Sequence, residues 1–172
     1  TSSPEDKPRL FEPALGGGAL LDVGIYPLTL ACSFFGFPIK FDAKAELTEK
    51  GVDATSHYSL TFTNGAKAEL FSSVVQDSPG EARIEGEEGT IIIHSKAWKL
   101  KGITVKNGKE ESFDTSYPGS DYLLQVEEVH KCLTNEMNES SVNSFEWTQK
   151  MMQLMDDLRA KMGVNYKLKG KA

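Results

Sequence analysis

This 172-residue sequence has few features that identify a binding partner directly, and positive charge is the first of those in short supply. Lys and Arg together number 19 against 25 Asp and Glu, which gives a formal net charge of −6 at pH 7. No basic run precedes the short tail that contains Lys167, Lys169 and Lys171. Because nucleic-acid binding needs a concentrated positive face, we expect no nucleic-acid partner.

Cysteines are also few. Cys32 and Cys132 each lie in an apolar helical pattern, which is typical of buried, reduced thiols. We therefore expect a reducing compartment and a cytoplasmic protein. The three histidines show no ligand spacing with the cysteines, so no metal site is predicted.

Long hydrophobic runs are missing as well. No apolar run reaches the roughly 20 residues that span a bilayer. Residues 16–36 come closest, but Asp22, Pro27 and the glycines interrupt them, and we expect no membrane partner. Hydrophobic residues make up 39% and charged residues 26%, and the length is about that of one domain, so a single globular domain over residues 1–172 is predicted.

The pattern of apolar residues predicts the secondary structure. Residues 18–36 are predicted to form a helix, kinked at Pro27 and ended by Gly36 and Pro38. Residues 39–114 are predicted to be strands. In "DATSHYSLTF" the apolar residues share one parity, and the pairs Asn64-Gly65 and Asn107-Gly108 are hairpin signals.

Two helices are predicted to close the chain. The first has one helical face formed by Tyr122, Val126, Val129 and Leu133. The second begins at an N-cap, Ser144, and carries a core stripe formed by Met151, Met155, Leu158 and Met162. The order of helix, strands and helices predicts an α+β fold: an open, mostly meander antiparallel sheet of about six strands, with helices packed on one face.

The cluster "GGGALLDVGIY" at residues 16–26 resembles a dinucleotide-binding turn at first sight. Gly16 and Gly18 match the first two glycines of the Gly-x-Gly-x-x-Gly fingerprint, but Leu21 occupies the third position, and no apolar strand precedes the cluster. The cluster is therefore not a Rossmann turn.

Two polar residues interrupt the apolar helix that follows. Asp22 and Tyr26 are four residues apart and project from one helical face. They are either a hydrogen-bonded pair at the rim of the core or a proton-transfer pair, in which a tyrosine with a lowered pKa acts as general acid or base. The glycines would let the chain approach a ligand closely and leave the N–H groups at the helix start free.

The stretch "LGGGALLDVGIYPL" resembles the C-terminal domain of the glucose–fructose oxidoreductase and inositol dehydrogenase family (Gfo/Idh/MocA), in its dihydrodiol dehydrogenase-like branch. In that motif Asp22 matches the family's Asp, and Tyr26 occupies the family's His/Tyr position. "RLFEPALGGG", "ARIEGEEGTIII", "AWKL" and the two closing helices match further family segments in the same order.

The resemblance implies a substrate-binding and dimerisation domain of an NAD(P)-dependent oxidoreductase, whose N-terminal Rossmann domain is absent from this chain. That domain would bind most of the NAD or NADP and supply a catalytic lysine, so no cofactor is expected to bind tightly here. The resemblance implies that the catalytic residues are Tyr26 and Asp22. It also implies that the substrate is bound by Arg9 and Trp98, and that the cofactor is bound by Gly17 and Gly18.

The reaction that the resemblance implies is hydride transfer between nicotinamide and a small-molecule substrate: a sugar, polyol or dihydrodiol-type alcohol or carbonyl. The partners would be that substrate, the Rossmann domain and a second copy bound through the open sheet. The alternative is a non-catalytic scaffold or a dimerisation or ligand-binding domain. A complete small hydrolase is disfavoured, because no Gly-x-Ser-x-Gly elbow occurs.

Overall fold

The structure, a computed structural model, describes residues 2–120 and 122–166. The described residues fall into two compact units: residues 2–78 together with 149–166 form the first, and residues 79–148 form the second. The single domain over residues 1–172 stays a prediction.

Antiparallel strands and helices make up both units, which confirms the α+β prediction. A π-helical turn, Leu20–Gly24, leads directly into the first α-helix. The helices and strands in chain order are α1 (Ile25–Phe35), β1 (Lys40–Leu47), β2 (Asp53–Thr61), β3 (Lys67–Ser73), β4 (Ala82–Gly86), β5 (Gly89–Ile93), β6 (Gly102–Lys106), β7 (Glu110–Asp114), α2 (Leu123–Thr134) and α3 (Phe145–Met162).

The sheet of the first unit is a meander of β1, β2 and β3. Its central strand alternates as predicted: Tyr58 and Leu60 are buried, whereas His57 and Ser59 are exposed. The β2–β3 connection contains the predicted Asn-Gly turn, in which Gly65 adopts a left-handed φ of 84°. This sheet therefore has one buried face and one open face.

Helices cover the buried face of the first sheet. The ring of Phe35 in α1 lies 5.2 Å from the ring of Phe62, which continues the buried parity of β2. In α3 the predicted apolar stripe is buried, and Leu158 is fully inaccessible. The prediction of helices on one face of the sheet is therefore confirmed here, and so is the prediction of a methionine-rich core stripe.

Residues Pro13–Phe35 form a helical stretch with a mean hydropathy of 1.5, which is long and apolar enough to cross a membrane by length and composition alone, contrary to the expectation that no apolar run reaches such a length. That criterion is weak, because a core helix of a globular unit also meets it. Leu20, Leu28 and Cys32 in this stretch are buried within the protein.

The second unit contains a four-stranded meander, β4 to β7. Gly86 and Gly89 flank the β4–β5 turn, and Gly108 forms the β6–β7 turn at a φ of 79°. The described residues thus contain seven strands, close to the expected number of about six, but the strands form two meander sheets of three and four strands and not the single open sheet that the sequence predicts.

The two closing helices also follow the predicted pattern. Ser144 Oγ accepts the Trp147 N–H at 3.1 Å, which confirms the predicted N-cap of α3. The apolar face of α2 is exposed, with 58–73% of each residue accessible at Tyr122, Val126, Val129 and Leu133. Helical periodicity therefore located this helix but did not indicate a buried face.

A comparison of Leu158 in α3 with Leu133 in α2 tests the difference in burial between these two helices. Leu158 is 0% exposed and Leu133 is 73% exposed. Leu158→Ala leaves a cavity and should lower the free energy of unfolding by about 2–5 kcal/mol, whereas Leu133→Ala should change it by about 0.5 kcal/mol or less. Urea unfolding followed by far-ultraviolet circular dichroism measures both changes. Equal losses for the two variants would contradict the burial described here.

Candidate active site

The glycine-led loop is folded back on the chain that precedes it. The Gly17 N–H donates to the Glu12 carbonyl at 3.1 Å, and the Gly18 N–H donates to the Leu10 carbonyl at 2.8 Å. A Cβ on Gly17 would come within 2.8 Å of the carbonyl oxygens of Arg9 and Leu10. Glycine is therefore required at position 17 by a contact within the chain itself.

Asp53, at the start of β2, holds the next part of the loop. Its Oδ2 accepts the Leu20 N–H at 2.6 Å and the Ser56 hydroxyl at 2.8 Å. Gly18 has a φ of 112°, and a Cβ there would lie 2.1 Å from Asp53 Oδ1. The loop thus meets the sheet at a distance that only glycine permits.

The expectation that the N–H groups at the helix start are free is wrong for Gly17, Gly18 and Leu20. Each of these groups donates to an oxygen of the protein. The glycines are explained by close contacts with the chain and with Asp53. The assignment of Gly17 and Gly18 to cofactor contact stays a prediction.

The π-helical turn Leu20–Gly24 carries Asp22. Its last residue, Gly24, lies against the sheet, where a Cβ would come within 2.7 Å of the Tyr58 hydroxyl. Tyr58 in turn hydrogen-bonds to Ser72 Oγ at 2.7 Å. Gly24, the glycine of the Asp-x-Gly-x-Tyr motif, therefore lets the helix contact β2 and β3 closely. Single π turns inside helices are frequent at functional sites.

The structure brings two of the predicted site residues together. A guanidinium nitrogen of Arg9 donates to Asp22 Oδ1, and the two side chains form an ion pair. The Asp22 side chain is 28% exposed and that of Arg9 is 56% exposed, so the pair can be reached by a solute. Because the pair is exposed, we expect its contribution to stability to be small.

Tyr26 lies in the first turn of α1, immediately after the π turn. It is 49% exposed, which is unusual for a residue in so apolar a segment. Asp22 and Tyr26 are separated by about one helical turn. An exposed phenol one turn from a paired carboxylate is an arrangement that can bind a hydroxyl group and exchange its proton.

Trp98 belongs to the second unit, in a short 3-10 turn between two residues with left-handed φ, Lys96 and Leu100. Its ring edge lies close to Gly80, where a Cβ would be 3.3 Å from the ring, and it is 54% exposed. In the same unit His94 Nε2 hydrogen-bonds to Thr104 Oγ1 at 3.0 Å. The substrate-binding role of Trp98 stays a prediction.

Sequence reasoning missed the buried polar groups under the helix: Asp53, Ser56, Tyr58 and Ser72, all at most 5% exposed. Burial raises the pKa of Asp53 above its ordinary value, whereas the hydrogen bonds from Ser56 and Leu20 lower it. Because the folded pKa is raised, the contribution of Asp53 to stability is largest below the unfolded pKa and decreases as the pH rises through the folded value. Burial also raises the pKa of Tyr58.

A signal for these groups was present in the strand. Ser56 and Tyr58 share the parity of Leu60 and Phe62, so the alternation of the strand itself places two polar side chains on the buried face. Buried polar groups need hydrogen-bond partners, and this need pointed to a polar network. Among the described residues, no group of three or more His, Cys, Asp or Glu side chains is arranged to hold a metal ion.

The fold and the site together define a class of protein: an α+β domain in which glycines lead into a helix that bears a partly exposed acid and an exposed phenol. The family model described as "GFO/IDH/MocA C-terminal domain" matches residues 1–92, more than half of the chain. The chain belongs to this family, which confirms the resemblance inferred from its motifs.

Relatives with sequence similarity are oxidoreductases. The trans-1,2-dihydrobenzene-1,2-diol dehydrogenase of Xenopus tropicalis is 34% identical over 169 residues, which cover 92% of this chain and 51% of the relative. The scyllo-inositol 2-dehydrogenase (NADP(+)) of Bacillus subtilis is 29% identical, with 91% of this chain and 48% of the relative covered. The chain thus spans about half the length of the curated relatives it matches.

Solved structures share the fold. The aldose-aldose oxidoreductase from Caulobacter crescentus, complexed with glycerol, matches with a TM-score of 0.79 at 19% identity, and the match covers 94% of this chain and 50% of that one. An NAD binding oxidoreductase from Klebsiella pneumoniae matches with a TM-score of 0.72 at 17% identity, over 90% of this chain and 51% of that one.

Two glycines with left-handed φ test the contact between the loop and Asp53. Gly18→Ala places a Cβ against Asp53 Oδ1, whereas Gly51, at a φ of 83°, has nothing described within 4 Å of its Cβ position. We expect Gly51→Ala to cost about 1–2 kcal/mol from backbone strain alone, and Gly18→Ala to cost clearly more. Urea unfolding midpoints of the two variants compare them. A Gly18→Ala variant as stable as Gly51→Ala would show that the close contact is not required.

Proposed function

We propose that this chain provides the substrate-binding and proton-transfer part of an NAD(P)-dependent oxidoreductase. The enzyme interconverts an alcohol and a carbonyl in a sugar, polyol or dihydrodiol-type substrate. Family membership supports this proposal, and so does the oxidoreductase character of relatives that are about twice as long as this chain.

The observation that carries the proposal is the arrangement of the Arg9–Asp22 pair and Tyr26 on the glycine-led helix. Asp22 engages Arg9 through Oδ1, and we assign Oδ2 to a substrate hydroxyl. Arg9, more than half exposed, can donate a further hydrogen bond to a substrate oxygen. These donors and acceptors fit a neutral, hydroxyl-rich molecule.

Tyr26 is proposed to exchange the proton of the reacting oxygen. When an alcohol is oxidised, the phenolate form of Tyr26 accepts the hydroxyl proton as the carbon–oxygen double bond forms and a hydride leaves the carbon. When a carbonyl is reduced, Tyr26 donates a proton to the oxygen. Asp22 keeps the substrate oriented toward the phenol in both directions.

The nicotinamide cofactor supplies the hydride acceptor or donor in this reaction. At the start of the helix the Gly17, Gly18 and Leu20 N–H groups already donate to protein oxygens, which disfavours a tight pyrophosphate site at these three groups. In this proposal the dinucleotide site therefore lies in a Rossmann domain of the whole enzyme.

Removal of the Tyr26 hydroxyl tests the proton-transfer role. In the full-length enzyme, Tyr26→Phe should lower kcat by about 10²–10⁴-fold, the usual value of a general acid or base. Tyr122→Phe is the matched control: Tyr122, the residue directly before α2, is 71% exposed, and its substitution should leave kcat unchanged. Steady-state kinetics with a dihydrodiol and an inositol as trial substrates measure the change. A loss of only a few-fold for Tyr26→Phe would contradict the role.

We also propose that the whole enzyme is a cytoplasmic homodimer. The open face of the first sheet supports the dimer: Lys44, His57 and Phe71 lie side by side on β1, β2 and β3. The rings of His57 and Phe71 are 5.0 Å apart and form an accessible, partly apolar surface. The two cysteines support a reducing compartment, because both are buried, free thiols.

A charge placed on this open face should separate the dimer. Phe71→Glu in the full-length protein is expected to give a monomer, because two like charges would be buried at a two-fold interface. Val142→Glu, at a position 76% exposed in the second unit, should remain dimeric. Sedimentation velocity at micromolar concentration distinguishes the two states. A monomeric unmodified protein under these conditions would overturn the dimer proposal.

A further inference from the structure

Asp53 is a fully buried carboxyl group that the proposed reaction does not use. It lies 33 residues from Leu20 in sequence, yet it accepts the N–H of that residue, the first of the π turn. A carboxylate at a helix start is favoured by the helix dipole and satisfies a backbone donor that has no partner within the helix. Asp53 therefore caps the segment that carries Asp22 and Tyr26.

The carboxyl group is fixed within the sheet on its other side. The Ser56 hydroxyl donates to the same oxygen, Oδ2, at 2.8 Å. Oδ1 has no hydrogen-bond partner among the described residues and faces the Gly18 backbone. Burial of an incompletely paired carboxyl group is costly, so a buried acid at this position requires a reason other than stability.

The glycine-led loop is also held from a second side. The Tyr166 hydroxyl donates to the Gly17 carbonyl, and the guanidinium carbon of Arg159 lies 5.0 Å from the centre of the Tyr166 ring. A Cβ on Gly18 would meet both Asp53 and the Tyr166 oxygen, at 2.1 and 3.2 Å. The loop is thus held between β2 and Tyr166, which lies four residues after the end of α3, and the position of the loop determines the start of the helix.

We propose that Asp53 is a positioning residue for the Asp22–Tyr26 pair. Through the Leu20 N–H and the contact with Gly18, it sets the orientation of the π turn and hence the direction in which Asp22 and Tyr26 meet the substrate. The inference rests on the proposed function, because it assigns Asp53 to the same reaction. Displacement of reacting groups by about 1 Å can cost about 10²-fold in rate.

A double-mutant cycle in the full-length enzyme tests this role. Asp53→Ala should lower kcat about 10–100-fold, with a smaller change in KM. Asp53→Asn retains an oxygen that can accept the Leu20 N–H and should recover most of the lost kcat. In the Tyr26→Phe background, Asp53→Ala should cause little further loss, because Asp53 acts through Tyr26. Asp114→Ala is the matched control: Asp114 also accepts a backbone N–H, from Ser116 at 2.8 Å, but is exposed.

The outcomes separate the two proposals. A nearly normal Tyr26→Phe enzyme overturns the proposed function, whatever the effect of Asp53→Ala. If the Tyr26→Phe effect is large, the positioning role is overturned by an Asp53→Ala variant that retains normal kcat. The role is also overturned if Asp53→Ala lowers kcat by the same factor in the unmodified enzyme and in the Tyr26→Phe enzyme. If Asp53→Ala does not fold, Ser56→Ala removes one of the two donors to Asp53 and should show a smaller loss with the same dependence on Tyr26. Independent losses for Ser56→Ala and Tyr26→Phe would then overturn the role.

Discussion

The close approach of the glycine-led loop to strand β2 is the constraint on which the first unit depends. Gly18 leaves no space for a side chain against Asp53, and Gly24 leaves none against Tyr58. These two contacts, one on each side of Asp22, set how deeply the helix start lies on the sheet. Because the backbone makes the contact, the other side of the helix start is available to Asp22 and Tyr26 for chemistry.

Much of the fold could be predicted because its signals are local. The parity of Tyr58 and Leu60 on β2, the Asn64-Gly65 turn and the methionine stripe of α3 each follow from residues close together in the sequence. The family motif around Asp22 and Tyr26 could likewise be recognised from the sequence, because its glycines and its acid occur at a fixed spacing. Local patterns of this kind reflect the backbone geometry of strands, turns and helices.

The supporting part of the site was not predictable in the same way. The bond from Leu20 to Asp53 joins residues 33 positions apart, and no periodicity relates them. The residue types of the π turn, Leu20–Gly24, also occur in α-helices, so composition does not distinguish this turn from an α-helical one and the pattern of hydrogen bonds does. The exposed stripe of α2 shows a second limit of prediction from sequence. Val126 and Val129 have the spacing of a helix that packs on a core, yet spacing alone does not specify which residues cover them.

The π turn has a consequence for comparison among relatives. An α-helix advances by about 100° per residue, so a one-residue insertion or deletion turns everything that follows by roughly that angle. A π turn accommodates one additional residue without ending the helix. A single-residue gap in an alignment between Leu20 and Gly24 therefore corresponds to a rotation of the helix that follows. This rotation determines which residues of α1 lie on the same side as Asp22.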